Sequence, residues 1–241
     1  MARAWHSDIA RLDHPGACNT IPLRESCRMR SMLRSAFAIV ALGLSAMATA
    51  ADVEEGFVRL DNGKSFDGWK INESPDSWSV EDGAFKAKGP RSHLFYVGDE
   101  KPFQNFELRV DCKAMNNSNG GIYIHTKFQD ANWPKYGHEV QVNNSYTKDP
   151  KKSGSLYGIV DVKEQHIQDD TWWTETVIVK GRHVTIKLND KVVVDHDEPA
   201  GKEAFDKNFE RRLGGGTFAL QAHDPNSTIY YKNIRVKRLP D

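Results

Sequence analysis

The sequence predicts an all-β fold, an antiparallel two-sheet sandwich with a concave face open to ligand. Short segments with strict two-residue alternation of apolar and polar residues recur along most of the chain. Gly, Asn and Asp turn signals separate them at close spacing, the pattern of a sandwich rather than an α/β fold. Three of these segments also carry His, Glu and Gln on the face opposite their apolar residues. Half-buried strands usually place Lys, Thr and Ser there, so this face reads as a polar site on a sheet.

The elements follow in order. Trp78 and Val80 lead into Asp82-Gly83, a hairpin dipeptide, and Phe85 and Ala87 continue beyond it. Phe106, Leu108, Val110 and Cys112 alternate as one strand. Val177 and Val179 pass through Gly181-Arg182 to Val184, Ile186 and Leu188, and Asn189-Asp190 turns the chain into Val192 and Val194. The apolar positions of Ile229-Tyr231 and Ile234-Val236 are out of phase, which predicts a bulge near Lys232-Asn233. One helical turn is expected, over residues 203–212.

In the three site segments, Ile122 and Ile124, Val140 and Val142, and Phe218, Leu220 and Ala222 point to the core. Tyr123 and His125, Glu139 and Gln141, and Gln221 and His223 then share the opposite face. His138 falls on the Val140 side by parity, at the start of its strand.

Not all 241 residues are expected in the working protein. Met32-Leu33-Arg34 and the apolar run from Ala36 to Leu44 precede Ala48-Thr49-Ala50, a small-x-small cleavage pattern. Residues 29–50 therefore read as a secretory signal peptide. The run is too short to span a bilayer. Residues 1–28 read as an over-extended gene start, and residues 51–241 as one domain, periplasmic or secreted. Residues 1–50 hold six Arg and three acids, which leaves 27 basic and 30 acidic residues, a net of −3. That balance offers no footprint for nucleic acid, and no membrane span is expected after signal cleavage. Cys112 is the one cysteine beyond the leader and continues an apolar alternation, so it reads as an inert core thiol.

Gly56-Phe57-Val58-Arg59-Leu60-Asp61-Asn62-Gly63-Lys64-Ser65-Phe66-Asp67-Gly68-Trp69 resembles the opening block of the bacterial 3-keto-disaccharide hydrolase family, also described as 3-keto-glucoside lyases and hydratases. Trp78 to Gly83, Gly121 to Ile124, Gly137 to Val142, Gly154 to Gly158 and Phe218 to His223 resemble its later blocks in order, and Tyr231-Lys232-Asn233-Ile234 its closing one. The resemblance covers residues 56–239 and implies a concanavalin A-like (jelly-roll) sandwich acting on a small sugar. Two positions depart from the family pattern. Asn189-Asp190 replaces Asn-Gly in a hairpin, and His125 stands where Arg often follows the Gly-Ile-Tyr-Ile block.

A retaining glycosidase needs two carboxyl groups flanking one bond. Laminarinase relatives of this fold carry both on one strand, whereas this strand gives Glu139, Gln141 and Asn143. A 3-keto sugar asks for less. Its ketone acidifies the C2 hydrogen, so one base can remove that proton while the C1 substituent leaves, and water can then add back. Glu139 and His223 suit base and acid in either order. Gln141, Gln221 or a divalent cation suits the C3 carbonyl. No cofactor is required, and a metal set of His125, Glu139 and His223 lacks supporting local spacing. Tyr123, Tyr157, Trp133 and Trp172 offer flat faces to a sugar ring. The rival class is a non-catalytic carbohydrate-binding sandwich, which needs the aromatic residues but not Glu139 and His223.

Overall fold

The computed structural model describes residues 54–241, and the expected gene extension and signal peptide lie outside that range. The described residues form two antiparallel sheets. The larger sheet orders its strands as β11 (Lys191–Asp197), β10 (His183–Leu188), β9 (Trp173–Lys180), β6 (Phe106–Ala114), β13 (Ile229–Arg238), β4 (Ala84–Ala87) and β3 (Trp78–Glu81), with β1 (Val58–Arg59) also pairing β13. The smaller sheet runs β2 (Trp69–Ile71), β5 (Ser92–Tyr96), β12 (Thr217–Ala222), β7 (Gly120–Thr126) and β8 (His138–Val142).

The local chemistry of the turns bears out the expected elements. Asp82 and Gly83 take φ of 49° and 77°, the left-handed pair a tight hairpin needs between β3 and β4. Asn189, at φ 52°, does the same between β10 and β11. The phase break in β13 is a bulge: its register against β6 shifts between Lys232 and Arg235, with Asn233 at φ 51°.

The helical turn expected over residues 203–212 does not form. Phe205 N–H donates to Glu210 O at 3.0 Å and Asp206 N–H to Phe209 O at 3.0 Å, which folds the segment back on itself. Asp206 Oδ1 accepts from the N–H groups of Asn208 and Phe209 (2.7 and 2.8 Å), a side-chain bond that competes with helix. The one helical turn among the described residues is the 3-10 turn Pro75–Ser77.

The core lies between the sheets. Ile122, Ile124, Val140, Val142, Phe218 and Leu220 all turn inward and are at most 1 % exposed, each worth ~1.5–3 kcal/mol of burial. Cys112 is buried in the same core. The other face of the smaller sheet carries the polar residues in register. One cross-strand row holds Phe95, Ala219, Tyr123 and Glu139. The next, two residues along each strand, holds His93, Gln221, Gly121 and Gln141.

Candidate active site

The site is built around a gap in the sheet surface. Gly120 and Gly121 begin β7, and their missing side chains open opposite faces. A Cβ on Gly120 would stand 2.7 Å from the Tyr231 hydroxyl in the core, and one on Gly121 would stand 2.6 Å from Glu139 Oε1. The Glu139 carboxylate therefore lies over the glycine. Gln221 Nε2, from the strand on the other side of β7, donates to Glu139 Oε1 at 2.8 Å and reaches the Tyr123 hydroxyl at 3.1 Å. Tyr231 crosses the core from β13 and donates to Gln221 O at 3.1 Å, which buttresses that strand from behind.

Burial pushes the Glu139 carboxyl up to about 7, against hydrogen bonds from Gln221 and Tyr123 and the positive charge of Arg211, which pull it down. Such a group exchanges a proton readily at neutral pH.

His223 lies two residues beyond Gln221, where β12 ends. Its Nδ1 bonds Asp224 Oδ2 at 2.8 Å. Asp224 is itself fixed by Asn226 N–H and Ser227 Oγ, both at 2.9 Å, and by the Tyr146 hydroxyl at 3.3 Å. Partial burial opposes its ionisation, but the bonds from His223, Asn226 and Ser227 hold it below the usual carboxylate range. An ionised Asp224 on Nδ1 leaves Nε2 as the ring nitrogen that exchanges protons.

Loops raise the walls of a cleft of about 240 Å³. On one side the Trp133 indole packs at 5.4 Å from the His223 ring, 5.5 Å from the buried His93 ring and 5.3 Å from the Arg91 guanidinium. On the other, Tyr157 donates its hydroxyl to Asp149 Oδ2 at 2.9 Å. Burial, with Asp149 beside it, raises the Tyr157 hydroxyl, so it stays protonated. Arg211 closes this side, its guanidinium over the rings of Phe205, Tyr157 and Phe209 at 4.1, 5.1 and 5.4 Å. Its backbone is left-handed, at φ 43°, and Gly158 leaves no room for a Cβ beneath its guanidinium.

Of the residues expected at the site, Glu139, His223, Gln141 and Gln221 line this cleft, as do Tyr123, Tyr157 and Trp133. His125 and Trp172 do not. His125 takes φ 53°, which breaks the alternation at the end of β7 and turns its ring to Phe106, at 5.4 Å, and to Gln104 O, at 2.9 Å. It borders a separate depression, and burial lowers its ring to about 4. Trp172 packs on Tyr230 and Lys232 of the larger sheet, its ring 3.9 Å from Lys232 Nζ. With His125 elsewhere, the set of His125, Glu139 and His223 does not converge. Among the described residues no group of three or more His, Cys, Asp or Glu side chains is placed to hold a metal ion. His138 bonds Glu198 Oε2 at 2.8 Å and is buried, an anchor for the loop that follows Glu198.

Four contributors escaped the sequence: Asn119, Asp149, Arg211 and Asp224. Asn119 precedes the glycine pair and could be reached by extending the parity of β7. Asp149 sits in a loop without periodicity, and Arg211 in the segment expected as a helical turn. Asp224 was visible next to His223 but reads equally as a strand-end turn.

A β-sandwich with a polar cleft on its smaller sheet, centred on one carboxyl and one imidazole, is the class of protein that fold and site define. The chain belongs to the 3-keto-α-glucoside-1,2-lyase-like domain family, which it matches over residues 56–237. It is 27% identical over 231 residues to a 3-keto-disaccharide hydrolase of Bacteroides thetaiotaomicron, covering 77% of this chain and 79% of that one. A crystal structure from Parabacteroides distasonis, of a protein assigned to the glycosyl hydrolases, superposes with a TM-score of 0.66 at 24% identity, covering 77% of this chain and 95% of that one. The carbohydrate-binding module CBM66 of Bacillus subtilis shares the fold with a TM-score of 0.51 at 15% identity, over 70% and 95% of the two chains.

Proposed function

We propose that the protein cleaves the glycosidic bond of 3-keto glucosides and disaccharides by removing the C2 proton and eliminating the C1 substituent. The observation that carries this reading is the Glu139 carboxyl poised at about 7 in a cleft it shares with the Asp224-held imidazole of His223. The other carboxyl of the cleft, Asp149, has both oxygens engaged, Oδ2 by Tyr157 and Oδ1 by the Lys151 N–H at 2.9 Å. It is poorly suited to be the second acid of a retaining pair. Family membership and the 3-keto-disaccharide hydrolase relative support the same substrate class.

In this mechanism the ionised Glu139 takes the C2 proton. The C2–H electrons form the C2–C1 double bond as the C1–O bond breaks, and His223 protonates the departing oxygen from Nε2. Negative charge developing on the C3 oxygen falls to Arg211, whose guanidinium lines the same cleft and whose charge pulls the Glu139 carboxyl down. The product is a 2-hydroxy-3-keto-glucal and a free alcohol or sugar. Addition of water across the double bond, with the proton returned to C2, makes the net reaction a hydrolysis. The apolar leader and the Ala48-Thr49-Ala50 pattern in the sequence support export of this activity to the periplasm or outside the cell, which N-terminal sequencing of protein from its host would check.

Incubation with 3-keto-trehalose and with 3-keto-glucosides tests the proposal. Released glucose or a glucal chromophore is expected. Equal cleavage of the unoxidised disaccharides would refute it.

A further inference from the structure

The elimination uses the ketone, C2 and C1, but the cleft wall holds polar atoms that this chemistry leaves unanswered. Gln141 is 1 % exposed, and neither its Oε1 nor its Nε2 has a protein partner. Asn119 Oδ1 and Gln221 Oε1 are equally buried and equally unpaired. All three residues line the cleft. Buried polar atoms are normally satisfied, so a cluster of unpaired ones at a cleft wall points to a ligand that completes it.

The chemistry of the ligand follows from the count. Three amide oxygens need hydrogen donors, and one amide nitrogen needs an acceptor. The assignment is firm where it matters: both ends of Gln141 are unpaired, and Gln221 Nε2 is fixed by its bond to Glu139 Oε1 at 2.8 Å. A ketone accepts but cannot donate, so the C3 carbonyl cannot answer the oxygens. Ring hydroxyl groups donate and accept at once. Amides do not titrate, so Asn119 and Gln141 offer this recognition whatever the protonation of Glu139 and His223.

We infer that Asn119, Gln141 and Gln221 form the subsite that reads the non-reacting hydroxyl groups of the sugar ring, and so set specificity for a fully hydroxylated pyranose. This rests on the proposed 3-keto-glucoside reading for the ring it binds. A site built to bond hydroxyl groups rejects analogues that lack them, because its own groups are then left unpaired.

The test is calorimetric binding of 1,5-anhydro-3-keto-glucitol, which carries no aglycone at C1, and of its 4-deoxy and 6-deoxy counterparts. Wild type, Gln141→Leu and Asn119→Leu are compared. At least one deoxy compound is expected to bind wild type about tenfold more weakly or worse, and to lose most of that penalty on one of the leucine variants. Ligand-free Gln141→Leu is expected to melt at or above wild type, since it removes an amide with no protein partner. Equal binding of all three compounds, a penalty unchanged in both variants, or a lower melting temperature for Gln141→Leu would overturn the inference. Discrimination among these ligands by a protein that never turns over a 3-keto glycoside would sink the elimination mechanism and leave this subsite standing.

Discussion

Gln221 reaches across β7 to donate a hydrogen bond of 2.8 Å to Glu139 Oε1, over the space where Gly121 has no side chain. The strands that carry the two residues are not neighbours, so only a glycine between them allows the contact. The bond favours the ionised carboxylate, while burial disfavours it, and the balance leaves Glu139 at about 7.

The activity should therefore titrate. A base works only when ionised, so kcat/KM is expected to rise with pH through about 7. Replacing Gln221 by Leu removes a bond to the charged form, and the rising limb should move to higher pH. A pH profile of both proteins checks this; a limb that stays in place would detach Gln221 from the base. Glu139→Gln should keep the fold and lose most turnover.

His223→Ala is expected to lower kcat by roughly 10²-fold or more. Asp224→Asn should cost less, because the imidazole remains but loses the carboxylate that holds Nδ1. Substrates with good leaving groups, which need no proton from an acid, should recover much of the His223→Ala loss. Steady-state rates on an aryl 3-keto-glucoside and on the disaccharide make the comparison.

Arg211→Met should reduce kcat by about 10²–10³-fold if the guanidinium meets charge on the C3 oxygen. The same change should raise the Glu139 titration, since Arg211 pulls it down. Arg211→Lys keeps the charge and should retain the titration better than the rate. Kinetic pH profiles of the two variants separate these effects.

Stability should fall as pH rises. Glu175 on β9 faces the core, its Oε2 accepting from Trp173 Nε1 at 3.2 Å and its Oε1 unpaired, and burial pushes it up to about 8. A carboxyl raised on folding contributes stability that is complete below its unfolded titration, near 4.3 on average, and that is lost as pH rises through about 8. Glu175→Gln should flatten this decline and raise Tm at pH 8.5 by several degrees, on the order of the effect of one to two kcal/mol. Thermal melts from pH 5 to 9 decide it.

Much of the sandwich was legible in the sequence because its strands alternate strictly. Ile122, Ile124, Val140, Val142, Phe218 and Leu220 face the core as their parity demands, and that same parity put Glu139, Gln141, Gln221 and Tyr123 on one surface. His125 was lost because a left-handed residue breaks parity, and a non-glycine residue gives no sign of adopting it. Phe205 and Phe209 stand at helical spacing, yet Asp206 bonds the local backbone and turns the chain instead. That misreading also hid Arg211, whose position depends on the turn. Strand β5 gives no sequence signal, because Ser92–Tyr96 is buried almost throughout and shows no alternation. Trp172 looked free to stack on sugar, but its neighbours on the larger sheet become visible only through the pairing of β6 with β13.

The central claim is that Glu139 removes the C2 proton of a 3-keto sugar. Proton NMR in deuterium oxide with 1,5-anhydro-3-keto-glucitol tests it directly, because exchange at C2 can proceed without cleavage. Wild type should replace the C2 hydrogen with deuterium far faster than buffer does, and Glu139→Gln should not. Cleavage of a 3-keto glycoside by wild type with no enzyme-dependent exchange at C2, or undiminished exchange by Glu139→Gln, would contradict the account.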